Sequence, residues 1–132
     1  MSASAQGRQV VSTDKAPGAV GPYSQAIKTG NLVFVSGQLG FIPGTKDFAA
    51  TDVEGQAEQV MLNLGAILEA AGSSYSQVVK TTVLLASMDD FAKVNAVYGR
   101  YFPENPPARA CFAVKTLPAN GLVEIEAIAE TS

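Results

Sequence analysis

Val78 to Ala86 (VVKTTVLLA) is apolar or threonine at every position except Lys80. The run lacks the apolar–polar alternation of a half-wet strand, and it is rich in β-branched residues. It therefore reads as a central strand covered on both faces. The rest of the chain has to supply that cover. At 132 residues a single domain is expected, spanning residues 1–132 and able to bury about two-thirds of its unfolded surface. No internal repeat, low-complexity run or linker divides it. With 47% apolar and 16% charged residues the chain is a folded globule rather than a disordered tail.

Two segments carry helical periodicity. Ala57, Val60, Met61, Leu64, Ile67, Leu68 and Ala71 recur at the i, i+3, i+4, i+7 spacing of one helix face. Thr51 and Glu54 are spaced as a capping box before them, and Gly72 is a C-terminal stop. Phe91, Val94, Tyr98 and Tyr101 form a second stripe, with Ser87 or Asp89 as its cap and Pro103 beyond its end.

Besides the central run, Leu32–Leu39, Arg109–Leu117 and Leu122–Ala129 read as strands, with weaker ones near Gln9–Ser12 and Ser24–Lys28. Asn120-Gly121 between two alternating runs is a hairpin signal. With Ala119 and Asn120 at its tip, that hairpin sets Lys115 opposite Glu124 and Arg109 opposite Glu130. Arg109 and Glu124 then lie roughly 20 Å apart along the sheet and cannot share a site within one chain.

The expected architecture is a two-layer α+β domain: a six-stranded mixed sheet with two helices on one face. The other face carries apolar residues too, Phe34 or Val35 and Val79 or Val83, and a single copy leaves them wet, so an oligomer is expected.

What the chain lacks narrows its chemistry. It has no histidine, which excludes Ser-His-Asp and Cys-His catalysis and HExxH zinc sites. A lone Cys111 can form no intramolecular disulfide and makes a thiolate metal cage improbable, which favours a reducing compartment. Net charge −3 without a basic block argues against a nucleic-acid surface. No phosphate-loop pattern occurs, and neither a cofactor nor a metal is expected. No stretch is long and apolar enough for a membrane span. Met1–Gln9 is small and polar without a signal-peptide core, and is read as a flexible terminus. The expected location is cytoplasmic. The alternative is a mitochondrion or plastid after removal of a targeting peptide.

The remaining candidates are few. Arg109 opens a strand directly after Pro106-Pro107-Ala108, a rigid approach suited to bidentate carboxylate recognition, although an ordinary surface arginine fits as well. Cys111 shares its face but lacks a base, so a packing role is favoured over a nucleophile. Glu124 and Glu126 share a face of the last strand. Tyr23, in the turn Gly21-Pro22-Tyr23-Ser24-Gln25, is a core aromatic or a pocket wall. Ser36-Gly37 interrupts a strand, which suggests a bulge or a ligand approaching the backbone.

Taken together, PPARACFAVKTLPANGLVEIEAIA (Pro106–Ala129), GPYSQAI from Gly21, VSGQLG from Val35 and VVKTTVLLASMDDFAKVNAVY from Val78 resemble the Rid family. These are the reactive intermediate deaminases of YjgF type, and the match is to the archetypal RidA branch over about Val10–Glu130. The resemblance implies a chorismate-mutase-like fold and a homotrimer with sites in the clefts between subunits. It also implies hydrolysis of 2-imino acids or their enamine tautomers, such as 2-iminobutanoate and 2-iminopropanoate, to 2-oxo acids and ammonia. Carried over by position, Arg109 binds the substrate carboxylate and Glu124 lines the pocket; the chemistry of imine hydrolysis then gives Glu124 the role of positioning or deprotonating water. Cys111 offers backbone hydrogen bonds, Tyr23, Ser36 and Gly37 line the pocket, and Asn95 lies near it. The loop Pro103–Pro107 is shorter and richer in proline than in some relatives. Two other activities compete with this one: a noncatalytic oxo-acid-binding or chaperone-like trimer, and a translation-inhibiting endoribonuclease.

Overall fold

A computed structural model describes residues 7–131. Six strands, β1 (Arg8–Val11), β2 (Ala26–Thr29), β3 (Leu32–Gln38), β4 (Val78–Leu85), β5 (Ala108–Ala113) and β6 (Val123–Glu130), form one sheet in the order β1-β2-β3-β6-β4-β5. Two helices, α1 (Val53–Ala70) and α2 (Phe91–Gly99), pack on each other, and α1 lies across β3 and β6. The flexible start expected over Met1–Gln9 falls, for residues 1–6, outside the described residues. Arg8 and Gln9 belong to β1 and pair with Thr29 and Lys28.

Each helix buries the stripe its spacing predicts. Val60, Met61, Leu64, Ile67 and Leu68 of α1 are fully buried against Val33, Val83, Leu85, Val123 and Ile125 of the sheet. Gly72 takes a positive φ of 81°. Its N–H donates to the Glu69 carbonyl and that of Ser73 to the Leu68 carbonyl, the paired bonds of a Schellman stop. The capping box at the other end does not form. The N-cap is Asp52, without a side-chain hydrogen bond. Gln56 instead turns back, its Nε2 donating to the Ala50 carbonyl at 3.1 Å. At α2, Ser87 Oγ accepts from Asp89 N at 3.1 Å, so Ser87 caps the turn that leads into the helix.

The Asn-Gly hairpin between β5 and β6 also does not form, and neither do its pairs Lys115–Glu124 and Arg109–Glu130. Pro118–Asn120 is indeed a tight turn, with Ala119 and Asn120 at φ 55° and 58°. However, β4 lies between the two strands, parallel to β5 and antiparallel to β6. The chain leaves β5 at Ala113, crosses the end of β4, where Val114 N donates to Leu85 O and Ala86 N to Leu122 O, and enters β6 on the far side. Turn residues decide where a chain bends, and burial decides what it bends around. Threading β4 between two neighbours pairs both its backbone edges and covers the most apolar strand.

The sheet face away from the helices stays bare. Val10, Ile27, Phe34 and Ile128 stand in one row across four strands by register. Val10, Phe34, Val79 and Phe112 are exposed there, whereas Val35 and Val83 point into the core. No described helix is long and apolar enough to cross a membrane.

Candidate active site

The candidate residues fall into two groups on opposite sides of the sheet. The first group surrounds a cavity of about 670 Å³, lined by Tyr23, Ser36, Gly37, Glu124 and Glu126 among others. β3 carries a bulge between Val35 and Gln38, so the interruption at Ser36-Gly37 is structural as well as local. Ser36 Oγ donates to the Ser24 carbonyl at 2.6 Å, and Ser36 N to the Gln25 carbonyl at 2.9 Å. These bonds fasten the bulge to the segment that carries Tyr23, whose hydroxyl accepts from Val20 N at 3.3 Å.

Gln25 was not singled out by its sequence context, yet it organises this wall. It is buried, accepts from Thr13 N and donates to the carbonyls of Thr13 and Pro17, holding the loop before Val20 in place. A buried glutamine with all its polar atoms engaged is a fixed strut. Only its place in the turn with Tyr23 hinted at this.

Glu124 lies over Gly37. A methyl group at residue 37 would overlap Glu124 Oε2 and stand 2.9 Å from its Cδ, so the missing side chain makes room for the carboxyl group. Burial pushes the Glu124 carboxyl above the ordinary carboxylate range, and the charge of Glu126 on the same strand face pushes it further. A carboxylate held slightly more basic than usual is suited to accept a proton.

The second group is at the β5 edge. Arg109 sits beside Thr81 in the parallel register and points to the helix side, where its Nη1 donates to Asn95 Oδ1 at 2.7 Å. Its guanidinium carbon lies 5.5 Å from the Phe91 ring centre and 4.9 Å from that of Tyr98. Among the described residues it forms no ion pair; the pair present is Arg100–Glu58. A half-buried guanidinium without a carboxylate is open to an incoming anion. Cys111 shares this side, half-buried, and burial raises its thiol pKa despite the nearby Arg109. That is the opposite of an activated thiolate.

Glu124 instead pairs with Leu84, between the buried Val123 and Ile125, and so stands on the bare face. Within one chain the sheet itself separates Arg109, Cys111 and Asn95 from Tyr23, Ser36, Gly37 and Glu124. The 20 Å separation along a hairpin is therefore replaced by a separation across the sheet.

Comparison with known proteins follows this geometry. A family model described as Endoribonuclease L-PSP matches residues 13–131. The chain is 56% identical over 129 residues to Reactive Intermediate Deaminase A, chloroplastic, of Arabidopsis thaliana, covering 98% of this chain and 69% of that protein. It is 48% identical over 122 residues to human 2-iminobutanoate/2-iminopropanoate deaminase, covering 92% and 89% of the two. The crystal structure of RidA from an Antarctic Psychrobacter species superposes with a TM-score of 0.89 at 51% identity, covering 92% of this chain and 98% of that one.

Proposed function

The chain belongs to the Endoribonuclease L-PSP family, the YjgF/RidA group, and from that premise we infer that it is a deaminase of reactive 2-imino acids. It hydrolyses 2-iminobutanoate and 2-iminopropanoate, or their enamine tautomers, to 2-oxo acids and ammonia. The observation that carries this reading is the Arg109 guanidinium, held by two rings and an amide and paired with no carboxylate among the described residues. Such a group suits a small substrate whose carboxylate adjoins the reacting carbon.

The site is completed between copies of the chain. Arg109 and Glu124 cannot meet within one sheet, and the bare apolar row on the face that carries Glu124 calls for a covering surface. Head-to-tail contact, the β5 edge of one copy against the pocket of the next, closes a homotrimer with three sites. Arg109 then takes the carboxylate through a charge-assisted pair, a contribution of about 1.5–3 kcal/mol. The Cys111 backbone supplies further hydrogen bonds. Water adds to C2 of the iminium while Glu124 accepts a proton, a role that contributes roughly 10²–10⁴-fold. Collapse of the tetrahedral adduct breaks the C–N bond, and the proton returns to the departing nitrogen. Iminium plus water thus becomes oxo acid plus ammonium, with no redox step.

The ribonuclease in the family's name finds little support here. The pocket presents Glu124 and Glu126, which repel phosphate, against a single cation, Lys46, and no histidine is available for acid/base work. The compartment is proposed to be cytoplasmic, or an organelle as for the chloroplastic relative.

The test mixes two impaired variants. Arg109→Ala and Glu124→Gln should each lose most imino-acid hydrolysis, with a measurable residue, while keeping the trimer. Co-refolded one to one, they should regain about a quarter of wild-type sites, those formed by an intact Arg109 and an intact Glu124 from different subunits. No regain would sink the shared site, and an active Arg109→Ala would sink the anchor.

A further inference from the structure

We propose that Phe91 and Tyr98 are positioning residues for this reaction: two ring faces of α2 that clamp the Arg109 guanidinium and fix which of its edges meets the substrate. The proposal rests on Arg109 being the carboxylate anchor. Phe91, Asn95 and Tyr98 are spaced i, i+4, i+7, so they rise along one face of α2. Seven residues separate the two backbone positions by about 10.5 Å along the helix axis. The guanidinium carbon lies 5.5 Å from one ring centre and 4.9 Å from the other. Asn95, between the rings in sequence, takes Nη1.

The arrangement leaves the guanidinium little freedom. Two rings lie within cation–π distance of it, their negative quadrupoles favouring the cation, and one corner is bonded to Asn95. The remaining N–H edge is what a carboxylate can reach in bidentate fashion. Tyr98 is itself fixed: it is buried, and its hydroxyl is 2.7 Å from Thr81 Oγ1 on β4, the residue beside Arg109 in the register. Phe91 is partly exposed and can be changed with little cost to the core. In the sequence Phe91 and Tyr98 read as members of an ordinary core stripe with Val94 and Tyr101, which conceals the role.

A carboxylate contact is made equally in the ground and transition states, so loosening the clamp should raise KM and leave kcat alone. Phe91→Leu, assayed as the intact trimer, should raise KM roughly three- to thirty-fold, the span expected when a cation–π contact is lost. Inhibition by 2-oxobutanoate should weaken by the same factor. Phe91→Tyr, which keeps a ring face, should restore both.

Side-chain series and backgrounds separate the possible causes. A clamp on the carboxylate raises KM by one common factor for iminopropanoate, iminobutanoate and longer imino acids. A factor that grows with side-chain length means that Phe91 touches the substrate, and overturns the proposal. So does an unchanged KM, or a fall confined to kcat. In the Arg109→Ala background, Phe91→Leu should add nothing; an undiminished effect there also refutes the clamp. If Arg109→Ala is itself fully active, the anchor reading fails, a result distinct from all of these.

Discussion

Gly37→Ala is the substitution that tests the proposed catalytic role of Glu124 with the least disturbance elsewhere. Gly37 does not occupy the left-handed region, so alanine fits the backbone without strain. Its methyl group meets Glu124: it would overlap Oε2, with Cδ at 2.9 Å and Cγ at 3.1 Å. The Glu124 Cδ must withdraw by about 0.5 Å to reach ordinary contact at 3.4 Å. Oε2 must move further, on the order of 1 Å, and a displacement of that size at a reacting group costs about 10²-fold, or roughly 2.7 kcal/mol of barrier. The yielding group is the end of a flexible side chain, so the melting temperature should change little. The assay generates the imino acid in place with an amino-acid oxidase and follows ammonia release. The expected result is a fall in kcat of about 10²-fold for Gly37→Ala alone and of less than threefold when it is added to Glu124→Gln, because residues acting as a unit are not additive. A kcat within twofold of wild type, or an undiminished loss in the Glu124→Gln background, would refute the placement of Glu124 at the reacting atoms.

Gly40→Ala should behave in the opposite way. Its methyl would sit 2.8 Å from the Gln56 carbonyl oxygen and 3.0 Å from its Cα, helix backbone that cannot swing aside, so a loss of about 1–3 kcal/mol is expected in urea unfolding. Asn63→Leu keeps the volume but strips the Nδ2 bonds to the carbonyls of Leu39 and Phe41, at 3.0 and 2.9 Å. Each carbonyl left dry costs about 1–3 kcal/mol, read as a lower melting temperature. Glu126→Gln should move the acid limb of kcat/KM to lower pH. Burial and then the Glu126 charge hold the Glu124 proton on, Glu124 must be ionised to act as a base, and removing one negative charge eases that ionisation. Lys46 and Tyr23 line the same pocket in both proteins, and so would Arg109 of a neighbouring copy in the proposed trimer, so a stationary limb would show that Glu126 does not tune it.

The layers of the fold were legible wherever one segment carries its own signal. The α1 stripe, its Gly72 stop and the apolar β4 need only local periodicity and local turn chemistry to be recognised. The β5–β6 pairing was not legible. An Asn-Gly turn specifies a bend and is silent about a third strand, and β4 enters that gap because burial rewards it with two neighbours. The capping box failed because the helix starts one residue later than the box assumes: the N-cap is Asp52 rather than Thr51, which puts Glu54 at the second helical position instead of the third.

The candidate site shows the same division more sharply. Alternation alone puts Arg109 and Cys111 on one face of β5, and Glu124 and Glu126 on one face of β6. Whether those two faces are the same face depends on partners. Paired as a hairpin, Arg109 and Glu124 would share a side but lie too far apart. Paired through β4, Arg109 aligns with Thr81 on the helix side and Glu124 with Leu84 on the bare side. The two registers disagree on geometry and agree on its consequence, since neither lets one copy bring guanidinium and carboxylate to one substrate. The observed register adds what the hairpin lacks: it leaves Glu124 on the face that has no helix over it. Any copy that covers the apolar row of Val10, Ile27, Phe34 and Ile128 therefore lies on the face that carries Glu124, four residues along β6 from Ile128.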